Sequence, residues 1–413
     1  MIQAPPARHI GVTLLPLGLV FLVVGVSTAL AFPFLALFLS TEVRANPVQV
    51  TAFLIVSPLA GVLVSSAVAR LSDRRAVRRG LLVAAAVAGA AGALTSAFVR
   101  DYWVLLGLAV TAWAAAGTLF PQTFAYAREI LLRDAPGRAA MGISTLRTVF
   151  SVAWVGGPPL GAVLLQAGGF ELVYGVAAAA YLVAVAVAAL WLKPSVPLAD
   201  DAGPAAVGEG GSTDVVAEAA PRWKLFALGA AFTLLQCPLT LGAQALPLFT
   251  SGDLGGEVSD AGLLLGLCAA LEIPFMLLFG WLSTRVPLRS LIVAGAAFGV
   301  TYYGIATAAG AIWVLLVAQV VNALFIAAVT GLGISFMQDL LPNEPGRATT
   351  LFTNTFPIGA MLAGPLFGVA QQFGFRLAFG MSTALCACGL LVLLAVRHRR
   401  APQPAEVVAT APA

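Results

Sequence analysis

The chain has 413 residues, of which 60% are hydrophobic and only 10% charged, with a formal net charge of +4. A soluble chain of this size carries about 25% charged residues, so much of the apolar surplus has to face lipid. Each crossing of a bilayer takes roughly 20 apolar residues; twelve crossings with short turns use up the whole length and exclude a large soluble catalytic domain.

The first apolar run, Ile10 to Leu39 (α1), is too long for a signal-peptide core and lacks a small-residue cleavage site after a short core. Further runs fall at 49–71 (α2), 80–99 (α3), 102–127 (α4), 138–167 (α5) and 171–192 (α6). A second set falls at 223–250 (α7), 258–284 (α8), 288–309 (α9), 311–341 (α10), 346–372 (α11) and 374–396 (α12). The expected fold is an all-α membrane protein of twelve transmembrane helices in two pseudo-symmetric six-helix bundles, over residues 1–192 and 223–400. Between them, 193–222 is rich in Pro, Gly, Ala and acid, cannot bury a core and reads as a flexible cytoplasmic linker; 401–413 reads as a disordered tail.

Of the 22 basic residues, eighteen fall in segments on the side of the N-terminus and only Arg44, Arg100 and Arg376 on the other. That bias fits an even number of crossings with both termini cytoplasmic, and it accounts for the positive charge without a nucleic-acid partner. The only histidines, His9 and His398, lie near the two ends of the chain, and neither Lys193 nor Lys224 follows a glycine. No buried imidazole, phosphate-cradling loop or metal cluster is therefore expected, and no cofactor. Cys237, Cys268, Cys386 and Cys388 sit in apolar runs and read as small hydrophobic residues.

The halves repeat. PGRA at 136–139 recurs at 345–348, GPPLG at 157–161 as GPLFG at 364–368, Gly169-Phe170-Glu171-Leu172 as Gly374-Phe375-Arg376-Leu377, and Trp103-Val104-Leu105-Leu106 as Trp313-Val314-Leu315-Leu316. The offset drifts only between about 210 and 205 residues, the signature of duplicated bundles around a central site.

The loop Ala69-Arg70-Leu71-Ser72-Asp73-Arg74-Arg75-Ala76-Val77-Arg78-Arg79 resembles the G-x-x-x-D-R-x-G-x-R-R signature of the major facilitator superfamily, with alanine at both glycine positions. Its counterpart, Gly280-Trp281-Leu282-Ser283-Thr284-Arg285, has threonine in place of the acid. Gly157-Pro158-Pro159-Leu160-Gly161 is similar to the GPxxG element of the superfamily's antiporters, which makes Gly157, Pro158 and Gly161 the antiporter-type motif. A narrower resemblance is to the bacterial sugar efflux transporters, through Leu271-Glu272-Ile273-Pro274, Gln338-Asp339-Leu340-Leu341-Pro342 and Gly346 to Thr355, with Phe124 to Glu129 and Ala153-Trp154. The resemblance implies proton-driven export of sugars or glycosides by alternating access.

Charged side chains at membrane depth are rare and default to function. Arg147 lies about 14 Å along a helix from Arg138, and Glu272 about 18 Å from Thr284, both near mid-bilayer. In the fold that the chain resembles, α5 and α8 face each other, so the two can pair. One reading makes Glu272 the proton carrier, with Arg147 pairing or withdrawing as the cavity opens; the other is a static clip between the halves. Embedded amides fall on α4 (Gln122), α7 (Gln236, Gln244), α10 (Gln319, Asn322) and α11 (Asn354), whereas α3, α6, α9 and α12 carry no embedded amide or charge; in the fold that the chain resembles, those four are the lipid-facing scaffold. Asn354, Asn322 and Gln244 lead the candidates for substrate, followed by Gln236, Gln122 and the ring of Trp154; amide glue between helices is the alternative. Tyr102, Trp103 and Trp313 read as interfacial belt. Asp73 with Arg74, near Arg128 and Glu129, reads as a conformational latch, while Arg75, Arg78 and Arg79 merely follow the orientation rule. Pro33 and Pro247 suggest gating bends.

Taken together these features predict a monomeric exporter of sugars or glycosides in the cytoplasmic membrane, exchanging them for protons. A multidrug exporter of the same superfamily is the nearest rival, needing a larger apolar pocket. A membrane-embedded enzyme is remote, because its acid or histidine clusters are missing.

Overall fold

The computed structural model describes residues 10–74, 77–134, 139–192, 221–341 and 344–396, with helices as their only regular elements. α1 crosses as Leu15–Thr41, bent through a 3-10 turn at Phe32–Phe34 where Pro33 removes a backbone donor. α2 (Pro47–Ser72), α3 (Arg78–Phe98) and α4 (Tyr102–Leu131) follow, the last with a π-helical stretch at Ala109–Trp113. α5 and α6 share one apolar segment, Thr145–Leu190, that reverses at Gly168 and Gly169. The second half holds α7 (Arg222–Asp253), α8 (Val258–Leu282), α9 (Leu288–Ala308) and α10 (Ile312–Leu340). α11 is broken at Asn354 into Pro345–Thr353 and Thr355–Phe373, and α12 is Arg376–Ala395. Dividing Thr145–Leu190 in two and adding α11 makes twelve crossings among the described residues. The proposed linker at 193–220, the tail, and the first PGRA at 136–138 lie outside the described residues.

The repeated motifs turn out to do the same work twice. Gly169 (φ 64°) and Gly374 (φ 104°) both sit in the left-handed region that favours glycine, and each makes the tight reversal into the last helix of its half. Arg79 donates to the Ala188 and Ala189 carbonyls that end α6. Arg289, 210 residues later, donates to the Leu393 and Leu394 carbonyls that end α12 (2.9 and 3.2 Å). A cation placed on unsatisfied carbonyls at a helix C-terminus is stabilising, so Arg79 has a packing role beyond orientation.

At the opposite end, called here the far end, Arg100 donates to the Ser96 and Ala97 carbonyls ending α3 and lies over the Phe38 ring at 5.3 Å. Arg376 does the same for Thr307 on α9, over Phe249 at 5.5 Å. Two of the three basic residues that break the charge bias are thus helix caps. Trp103 and Trp313 are exposed at the far end, and Trp191, Trp223 and Trp281 at the termini end, forming the two aromatic belts of a membrane protein. Tyr102, expected in the belt, is instead buried and donates to the Gln49 carbonyl at 2.9 Å.

The halves meet along α5–α8, α2–α11 and α1–α7, and the close contacts lie toward the far end. A Cβ on Gly266 of α8 would stand 2.5 Å from Pro159 Cγ and 2.7 Å from the Val155 carbonyl; one on Gly262 would stand 2.8 Å from the Pro158 carbonyl. Across the second seam, Gly364 and Gly368 of α11 rest on Thr51 and Leu54 of α2. Missing side chains let backbones approach closely where lipid offers no hydrophobic drive. One apolar core joins Phe34 to Phe38, Val50 and Phe53 of the first half to the whole second half. The termini-end core of the first half, around Phe21, Leu82 and Tyr126, is separate. Nearer the termini a Cβ at Gly61 or Gly280 would touch nothing, and Leu63 and Leu277 are exposed.

Candidate functional site

A cavity of about 680 Å³ lies between the halves, walled by α1, α4, α5, α7, α8, α9, α10 and α11. The first half contributes Arg147, Ser151 and Trp154 from α5, with Phe32, Phe120 and Phe150. The second contributes Gln236 and Thr240 from α7, Cys268 and Glu272 from α8, Tyr302 and Tyr303 from α9, Asn322 and Thr330 from α10, and Phe356 from α11. Five of the residues singled out in the sequence therefore come together here: Arg147, Glu272, Gln236, Asn322 and Trp154.

Arg147 and Glu272 face one another from α5 and α8, and the guanidinium charge acts on the carboxyl across the cavity. Neither has a hydrogen-bonded or ion-paired side-chain partner among the described residues. Both charges are thus available to a ligand or to each other.

The amides divide by their partners. Gln236 is 2% exposed, yet neither its Oε1 nor its Nε2 has a partner. Asn322 donates through Nδ2 to Gln319 Oε1 at 2.9 Å and to Cys268 Sγ at 3.3 Å, while its Oδ1 is buried and unpartnered. Gln319 in turn donates to Tyr302 Oη at 3.3 Å. Buried polar atoms without partners are uncommon and ask for an explanation; a polar ligand in this cavity supplies one.

Gln244 lies elsewhere and is fully employed. Its Oε1 accepts from the Ala36 N–H (2.9 Å) and its Nε2 donates to the Phe32 carbonyl (2.6 Å). These are the backbone groups that the 3-10 turn at Pro33 takes out of the α1 ladder, so Gln244 clamps α7 to α1 across the halves rather than facing the cavity. Asn354 is exposed at the break of α11, two residues toward the termini from the cavity residue Phe356. Gln122 is buried with Oε1 unpartnered but does not line the cavity. Trp154 packs edge-on against Phe32, centroids 6.1 Å apart. Trp113 lines a separate space of about 280 Å³ within the first half, with Tyr174 and Tyr181.

The latch residues resolve differently. The side chains of Asp73 and Arg74 lie outside the described residues. Arg128 is exposed, and Glu129 is 7% exposed and paired with Arg78 at 3.0 Å. Arg78 also donates to Ser72 Oγ (3.0 Å), so it stitches α2, α3 and α4 within the first half. Sequence reading left Arg78 among the orientation charges; only the fold picks it from its neighbours. The GPP element shows two faces. Gly157 and Gly161 admit Ala29 and Leu30 of α1, and Pro158 and Pro159 meet Gly262 and Gly266 of α8. The motif is therefore the seam itself.

Sequence reading missed Tyr302, Tyr303 and the positioning of Gln319. α9, expected as scaffold, brings two tyrosines to the cavity wall. Its apolar run carries no embedded amide or charge, and a phenol in such a run reads as packing.

Known proteins agree with this architecture. A sequence profile of the Major Facilitator Superfamily matches residues 17–243 and 228–412. Sugar efflux transporter A of Dickeya chrysanthemi is 34% identical over 381 residues, covering 90% of this chain and 93% of that one. Sugar efflux transporter A of Escherichia coli (strain K12) is 34% identical over 381 residues, covering 92% and 95%. Among solved structures, nucleoside transporter NupG superposes with a TM-score of 0.71 at 14% identity, over 92% of this chain and 97% of that one. A bacterial homologue of iron transporter ferroportin in the inward-facing state gives 0.64 at 18%, over 94% and 99%. At these identities the superpositions speak for the fold alone; the profile and the sequence relatives, which span both bundles, assign the chain to the Major Facilitator Superfamily, in the family of the sugar efflux transporters.

Proposed function

We propose that this protein exports sugars or glycosides across the cytoplasmic membrane in exchange for protons, as a monomer whose two bundles rock about the central cavity. The observation that carries this reading is the cavity wall: the unpartnered amide atoms of Gln236 (Oε1 and Nε2) and Asn322 (Oδ1) beside two opposite charges with no ion-pair partner among the described residues, Arg147 and Glu272. Amides suit hydroxyl-rich ligands, the Trp154 face suits the C–H surface of a pyranose, and a few polar groups in an otherwise apolar pocket suffice to orient a small molecule. The names of the relatives point to the same substrate class. The latch proposed at Asp73 and Arg74 would act at the termini end, with Arg128 beside it.

The basic-residue bias puts both termini, and the 193–222 linker, in the cytoplasm. The cavity then faces the cytoplasm, with the far end sealed by Gln244, Gly262, Gly266 and Gly364. Glu272 takes a proton from outside in the opposite state and releases it inside, with Arg147 across the cavity as its counter-charge. An apolar drug is the rival cargo, favoured by the rings of Phe32, Phe120, Phe150 and Phe356 on the same wall.

Everted vesicles loaded with an acidic interior separate the two. Labelled sugars and glycosides should accumulate, accumulation should collapse with a protonophore, and lipophilic dyes should not compete. Accumulation of dyes without any sugar would overturn the reading.

A further inference from the structure

Asn322 gives the cavity wall a polarity. Its two Nδ2 hydrogens are both spent, one on Gln319 Oε1 at 2.9 Å and one on Cys268 Sγ at 3.3 Å. Only Oδ1 is left for the cavity, buried and without a partner. Gln319, 1% exposed and absent from the cavity wall, is itself held by its Nε2 on Tyr302 Oη at 3.3 Å. An amide can normally offer either end to a ligand, as Gln236 does here with both atoms unpartnered. Asn322 cannot turn by itself without leaving Gln319 Oε1 unpaired in buried surroundings; Gln319 would have to turn with it and Tyr302 change from acceptor to donor, so the chain sets the orientation of Asn322 as a unit.

We propose that the chain Tyr302–Gln319–Asn322 fixes Asn322 as a hydrogen-bond acceptor, so that the cavity demands a donating hydroxyl from the sugar at that position, with Gln319 and Tyr302 as positioning residues. This rests on the sugar-transport reading above and adds the polarity of one contact. A hydroxyl satisfies Oδ1; a hydrogen or a fluorine in its place does not, because neither donates. A freely turning amide would behave otherwise, offering N–H to fluorine and recovering part of the binding.

The test uses the full-length protein in everted vesicles, with the best-accumulated sugar of the panel as parent. Its monodeoxy and monofluoro analogues are measured as competitors at every ring position. Asn322→Leu identifies the position that reports on this residue, since sensitivity there disappears. In the unaltered protein the deoxy and fluoro analogues at that position should lose affinity alike, by roughly tenfold or more, the effect of leaving one buried acceptor unpaired. In Gln319→Leu the fluoro analogue should regain at least threefold over the deoxy analogue, because Asn322 is released. Tyr302→Phe, a smaller change, should give the same shift in weaker form if Gln319→Leu fails to fold.

A purely structural role for Gln319 would lower every affinity together and leave the fluoro-to-deoxy ratio unmoved, which overturns the proposal. Better binding of the fluoro than the deoxy analogue in the unaltered protein also overturns it, since Asn322 would then be donating. If no sugar competes or accumulates at all, the transport reading itself fails, a result separate from either ratio.

Discussion

Replacing Gln244 by leucine keeps the bulk at the α1–α7 seam but removes both hydrogen bonds to the bent segment of α1. The Ala36 N–H then loses its partner, and Ala36 is fully buried, whereas the Phe32 carbonyl keeps the Leu35 N–H. A buried backbone group left unpaired costs about 1–3 kcal/mol. Taking the middle of that range for this one N–H gives about 2 kcal/mol against the far-end-closed state, whereas in the opposite state water reaches the group and little is lost. That moves the closed-to-open ratio by roughly 30-fold. Leu54, packed against Gly364 at the α2–α11 seam and 8% exposed, reports the opening. In a background with Cys237, Cys268, Cys386 and Cys388 all replaced by alanine, Leu54→Cys should react slowly with a water-soluble maleimide. Adding Gln244→Leu should speed the reaction roughly in proportion to the open fraction. A labelling rate within twofold of the parent would refute the assignment of Gln244 as a clamp between halves.

Gly266→Val places a side chain on Pro159 and the Val155 carbonyl across the halves. It should cut transport more than tenfold and raise Leu54→Cys labelling, with thermal stability in detergent nearly unchanged. Gly157→Val intrudes on Ala29 inside one half, so it should lower the melting temperature by the equivalent of about 1–3 kcal/mol of overpacking. Arg78→Met leaves the buried Glu129 carboxylate unpaired and should cost about 2 kcal/mol or more in a thermal melt. Adding Glu129→Gln to it should restore most of the loss, and equal stability of single and double variants would deny the pair. Arg79→Ala and Arg289→Ala remove equivalent helix caps and should each cost about 0.5–1 kcal/mol; a loss in only one of them would break the symmetry argument.

The architecture was open to reading because lipid imposes a long apolar period and because duplication writes each device twice. Gly169 and Gly374 share a motif because both make a left-handed reversal. Arg147, Glu272, Gln236 and Asn322 stood out as polar groups where polarity is costly, and all four line the cavity. Gln244 stood out for the same reason but is used differently, since its partners are backbone groups 208 and 212 residues away, freed by a proline bend. No spacing rule links those positions. Asn354 was placed by its helix run, yet α11 breaks at that residue and leaves it exposed. Tyr302 and Tyr303 were hidden because a tyrosine within an apolar run looks the same whether it packs or lines a cavity. Among the arginines that follow Asp73, the sequence offers no means to see that Arg78 reaches Glu129.

The proton role of Glu272 is tested most directly by comparing two modes of transport in one variant. Glu272→Gln should still exchange labelled for unlabelled sugar across the membrane, because exchange needs the cavity and the rocking bundles but no net proton movement. The same variant should fail to accumulate sugar under an imposed pH gradient. Gradient-driven accumulation at the unaltered level in Glu272→Gln would contradict the account.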